Sequence, residues 1–131
     1  MGAAPFGIHF SSPMLAISIV APSGNAVASG IKTIEVRSWR PDALPLMDLV
    51  VVENKRYLSA ENPEDEEGFA VALVDVHEVH GWEPSEVRAA CSSGWQPGYF
   101  AWSLSNVRGL PGTQKVCARR KLYQLDGDLW R

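Results

Sequence analysis

Residues 69–79 alternate in a way that leaves neither side of the chain polar. Phe69, Val71 and Leu73 fall on one face of an extended segment, and Ala70, Ala72, Val74 and Val76 on the other. A strand apolar on both faces must be covered on both. It is therefore a central strand, or a barrel strand packed on two sides. Leu49 to Glu53, rich in valine, reads as a second buried strand. Shorter strands are expected at Leu15 to Val20, Lys32 to Trp39, Tyr99 to Val107 and Val116 to Gln124. Gly109 to Gly112 bridges the last two. A short helix is expected from Ser23 to Ser29, capped by Ser23 or Asn25. A second is expected from Pro84 to Cys91, with Pro84 in its first turn and Glu83 or Ser85 near its cap. Ser59 to Gly68 contains Asn62-Pro63 and four consecutive acids, and reads as an exposed loop. Five or six short strands with two short helices point to an α+β domain on a small curved sheet or barrel. The elements do not alternate β-α-β-α, which disfavours a doubly wound sheet.

The chain of 131 residues fits one domain with a proper core. At 46% hydrophobic and 21% charged residues it is no disordered polymer. Residues 1–13, rich in Gly, Ser and Pro, are expected to form a flexible arm before a single domain at 14–131. They lack the basic start of a signal peptide. No run of 18 apolar residues exists to span a membrane. Cys91 and Cys117 are isolated, with no CxxC or Cys/His cluster, so no metal site is expected. They fit reduced thiols in a cytoplasmic protein, with a single disulfide as the alternative. The net charge is −3, yet it is unevenly spread. Residues 58–86 hold nine acids and no Lys or Arg, whereas residues 87–131 hold seven Lys or Arg and two acids. That asymmetry allows a local basic patch beside an acidic flank.

The chemistry concentrates in Gly30-Ile31-Lys32-Thr33-Ile34-Glu35-Val36-Arg37-Ser38-Trp39. Gly30 tolerates the left-handed backbone that ends a helix. A side-chain period of two then places Thr33, Glu35, Arg37 and Trp39 on one strand face, with Lys32 at the break. A polar outer face explains such a row without any function.

With Pro22 and Ala26 ahead of it, this run resembles the signature of the ASCH domain, a member of the PUA-like superfamily. Leu49-Val50-Val51-Val52-Glu53 resembles that family's middle strand, and Gly98 to Leu104 its sixth-strand region. The resemblance spans Met14 to Leu125. Ser23-Gly24-Asn25 departs from it, standing where many relatives carry an aromatic residue before the alanine. The resemblance implies a small PUA-like β-barrel of five to six strands with two or three short helices. It also implies a cleft at the G-x-K-T-x-E-x-R motif that binds RNA or a modified nucleoside, without a cofactor.

In that cleft Lys32 and Arg37 are suited to phosphate or a carbonyl oxygen. Trp39, Trp102 and Tyr99 offer faces for a splayed base. Thr33 and Asn106 offer neutral hydrogen bonds to a base edge. The alternative is a small hydrolase acting on RNA or on an acylated cytidine, with Lys32 and Glu35 as catalytic residues. In the family's amidohydrolase branch the lysine activates a threonine three residues later. That position here is Glu35, and Thr33 does not replace it by alignment. Glu35 then acts either as a base on water, with Lys32 on the oxyanion, or as the centre of an ion pair with Lys32 and Arg37. Glu78 and Glu83 are further carboxylates, more in keeping with solvated loops. His77 and His80 point to opposite faces of a strand and are poorly placed to share a metal. Arg119-Arg120-Lys121 either binds phosphate or guards an edge strand. Trp82, Trp95 and Trp130 read as packing residues.

Overall fold

The structure is a computed structural model in which residues 14–125 are described. The expected arm and Trp130 lie outside them. In chain order the elements are β1 (Met14–Val20), α1 (Ser23–Ala28), β2 (Ile34–Arg37), β3 (Leu46–Asn54) and β4 (Glu64–Gly81). A 3-10 turn (Pro84–Glu86), β5 (Phe100–Gly109), β6 (Lys115–Arg119) and β7 (Leu122–Leu125) complete the described part. The strands run in the order β2-β5-β4-β3-β1-β7, and β6 pairs with β4 off that path. Among the described residues only β1 and β3 pair in parallel. The sheet curls into a half-barrel whose end strands, β2 and β7, do not pair with each other. Seven strands and one α-helix thus stand where five or six strands and two or three helices were expected.

Both β3 and β4 supply both sides of the sheet, but register shifts along β4 put Val71 with Val74 and Val76, and Ala70 with Leu73, rather than on the faces that strict alternation predicted. Leu49 and Val51 join Ile17, Ile19, Val74, Val76 and Trp102 in one core. Val50 and Val52 join Ala16, Leu73, Val116 and Ala118 in the other.

Three local expectations give way to tertiary pairing. The acids Glu64 to Glu67 are not loop but the start of β4. There Glu64 faces Arg119 at 3.3 Å and Glu67 faces Lys115 at 3.2 Å across the β4–β6 ladder. Asp65 turns inward. Burial opposes its charge, but the backbone N–H groups of Glu67 and Lys55 outweigh that and hold its pKa below the usual value. Gly68 is required beside it, since a Cβ there would lie 2.5 Å from the Val116 carbonyl.

The helix expected from Pro84 stops after the 3-10 turn. Beyond it the backbone bonds lose the helical register, with Cys91 N–H on Arg88 O and Ser92 N–H on Val87 O. The carbonyls at the far end serve other elements: Ala89 O accepts from the N–H groups of Thr33 and Ile34, and Ala90 O accepts from the Lys32 ammonium. Cys91, at φ +54°, takes the chain out of the helical direction.

The last expected strand is two strands. Lys121, at φ +57°, breaks it, so that β6 follows β4 and β7 follows β1.

Candidate functional site

Helix α1 ends in the way its sequence implied. Gly30 has φ +83°. Its N–H reaches Val27 O at 3.0 Å, and the Ile31 N–H reaches Ala26 O at 2.9 Å, the paired bonds of a Schellman cap. Neither Ser23 nor Asn25 caps the other end with its side chain, and the N-cap position is Pro22. Asn25 instead holds Glu53 through its backbone and side-chain N–H groups at 2.7 and 2.8 Å.

The cap turns Lys32 inward, where it is only 6% exposed. Its Nζ donates to Ala90 O at 2.6 Å and lies 3.2 Å from Glu35 Oε1. The other Glu35 oxygen accepts from Arg37 Nε at 2.6 Å. Arg37 Nη2 then donates to Ser18 O at 2.7 Å, tying β2 to β1 across the open side of the half-barrel. One buried carboxylate is thus held between two cations, the ion-pair arrangement weighed for Glu35. Trp39, just beyond β2, sets its ring against that of Trp102 at 5.0 Å and 84°. The Lys121 ammonium lies 5.8 Å from the Trp39 ring centre.

These groups wall a cleft of about 600 Å³. One side carries Lys32, Glu35, Arg37 and Trp39; the corner Arg119-Arg120-Lys121 forms another; Asn54, at the end of β3, and Tyr57 just after it join them. Of the eight residues expected at the site, four meet here. Thr33 is exposed and outside the lining. Trp102 is wholly buried, so its ring is core rather than a stacking platform. Tyr99 packs edge-on against Trp82, which also neighbours Trp95, in a separate aromatic group. Asn106 donates to Asp75 at 2.8 Å, within a cluster that also holds Arg108 and Asp48. Burial opposes the Asp75 charge, but the Asp48 N–H, Asn106 and Arg108 prevail and keep its pKa low.

Sequence reasoning missed Tyr57, which is 84% exposed at the cleft. The basic-aromatic run Lys55-Arg56-Tyr57 was the available signal. Glu78 and Glu83 are exposed, outside the cleft. His80 bonds Glu86 rather than joining His77, and no group of three His, Cys, Asp or Glu side chains able to hold a metal occurs among the described residues. Nor is any described helix long and apolar enough to cross a membrane. Cys91 and Cys117 are free thiols.

Fold and cleft together define a small, mostly-β half-barrel protein with a cationic pocket at its open seam. The model of the ASCH domain matches residues 17–113, from β1 through the motif to the approach to β6, and the chain belongs to that family. It is a family associated with RNA binding. The crystal structure of ASCH from Zymomonas mobilis is similar in fold, with a TM-score of 0.50 and 14% identity over 88% of this chain and 90% of that one. Two mutant forms of the Zymomonas protein match at 12% identity, with TM-scores of 0.47 and 0.45. They cover 88% of this chain and 92% and 90% of theirs. No curated protein matches the chain.

Proposed function

We propose that this protein binds single-stranded RNA or a modified nucleoside unit of it in the seam cleft. The observation that carries the reading is the charge of the lining. Five cations and one carboxylate face the cleft, in a chain whose net charge is −3. A cationic cleft on an acidic protein is a local device for an anion. Tyr57 and Trp39 supply aromatic faces beside that charge, the combination that holds splayed bases and their backbone. Binding is favoured over hydrolysis, because each Glu35 oxygen is already paired with a cation and the Lys32 ammonium already donates to Ala90 O.

The test is fluorescence anisotropy with a labelled single-stranded RNA. Tyr57 is almost fully exposed, so Tyr57→Ala should leave melting unchanged while weakening binding by about tenfold, the worth of one stacked base. Unchanged affinity in that variant would remove the cleft from the binding surface.

A further inference from the structure

We propose that the corner between β6 and β7 is a phosphate subsite, so that the cleft takes a nucleotide or a phosphorylated RNA unit in preference to a bare nucleoside. This rests on the nucleic-acid reading of the cleft and fixes which end of the ligand goes where.

The cations of the cleft are not equivalent. Lys32 and Arg37 share Glu35 and direct further donors to Ala90 O and Ser18 O. Glu35 offsets one of their two charges, and their remaining described donors are taken up by protein carbonyls. The corner is different. Arg119 reaches Glu64 at 3.3 Å through two half-exposed side chains, a weak pairing. The Arg120 side chain meets no carboxylate among the described residues. Among the described residues, the contact of the Lys121 ammonium is the face of Trp39. Unbalanced positive charge therefore sits at the corner, away from the G-x-K turn.

The corner is also built rather than loose. The Arg119 N–H donates to Ser18 Oγ at 3.2 Å, and the same hydroxyl lies 2.7 Å from the Tyr123 hydroxyl, so both flanks of the bend are pinned to β1. The left-handed Lys121 backbone then keeps Arg119, Arg120 and Lys121 exposed at one wall of the cleft. Arginine and lysine in such a group suit phosphate oxygens, arginine by paired donors and lysine as a point charge. The Trp39 ring is half-buried, and a cation over such a partly solvated ring is held weakly. A phosphate at the corner draws Lys121 from Trp39 and opens that ring to the base attached to it.

Calorimetric titrations of the full chain with pyrophosphate, cytidine 5′-monophosphate and cytidine test this. The comparison is Arg120→Gln/Lys121→Asn, asparagine being tolerant of the left-handed backbone, with a melting curve to establish that the variant folds. Pyrophosphate is expected to bind the natural chain and to lose about tenfold or more in the variant. The monophosphate is expected to bind about tenfold tighter than cytidine, a preference that falls towards one in the variant. Equal pyrophosphate binding by both chains, or none by the natural chain, overturns the subsite even if cytidine binds. Equal affinity for cytidine and its monophosphate also overturns it. Pyrophosphate binding that behaves as expected, with neither cytidine compound bound, keeps the subsite and overturns the nucleic-acid reading instead.

Discussion

Glu35, read from the sequence either as a base on water or as the centre of an ion pair, sits between a lysine and an arginine. Its two oxygens at 3.2 and 2.6 Å from Lys32 and Arg37 make it the centre of a buried clamp. Removing one member of a buried pair costs more than the pair contributes, because a desolvated charge is left behind. Glu35→Gln is expected to lower unfolding free energy by about 3 kcal/mol, measured by urea denaturation. A change below about 0.5 kcal/mol, the scale of surface substitutions, would show that the clamp is not load-sharing. Lys32→Met should cost less, since Glu35 keeps Arg37.

At the scale of elements, the segment after β4 is the piece that local propensity describes least well. Its 3-10 turn is fixed by a capping box between Glu83 and Glu86 and by His80. His80 Nε2 lies 2.8 Å from Glu86 Oε2; its Nδ1 is 3.1 Å from Glu78 Oε2, close enough for attraction though out of line for a hydrogen bond. The Glu86 hydrogen bond, opposed by burial and helped by both carboxylates' charge, raises the His80 pKa above 6.5. A raised histidine pKa stabilises the fold in full below the unfolded value and loses that contribution as pH rises through the folded one. The melting temperature should therefore fall on going from pH 6 upward, and His80→Gln should lack that part of the slope. Parallel profiles for the two chains would sink the idea. The same segment presents Ala90 O to Lys32, so this turn supports the wall of the cleft.

At the scale of the molecule, cleft and remainder have opposite charge. Acids gather along the start of β4 and cations at the seam, so on the proposed reading an RNA would be attracted to the seam and repelled by the acidic flank. Affinity for single-stranded RNA should drop by about tenfold or more between 50 and 200 mM salt, as expected when about three phosphates displace counterions. A flat salt response would rule out a phosphate-dominated contact.

Periodicity and punctuation determined much of this protein. The double-faced run at Phe69 to Val79 required a central strand, Gly30 required a left-handed helix end, and the spacing from Lys32 to Trp39 put Glu35, Arg37 and Trp39 on one wall. These are short-range consequences of side-chain period and backbone sterics, legible without a partner. Tertiary structure alone decided the rest. It made strand of the acids at Glu64 to Glu67, because Arg119 and Lys115 lie across from them. It replaced the helix after Glu86 with irregular turns that deliver the Ala89 and Ala90 carbonyls to Lys32, Thr33 and Ile34. It bent the chain at Lys121, because β6 and β7 answer to different neighbours. It also buried Trp102, drew Asn106 to Asp75, and carried Tyr57 and the basic corner to the motif. Each depends on which distant groups the curled sheet brings within reach, and no local pattern encodes that distance.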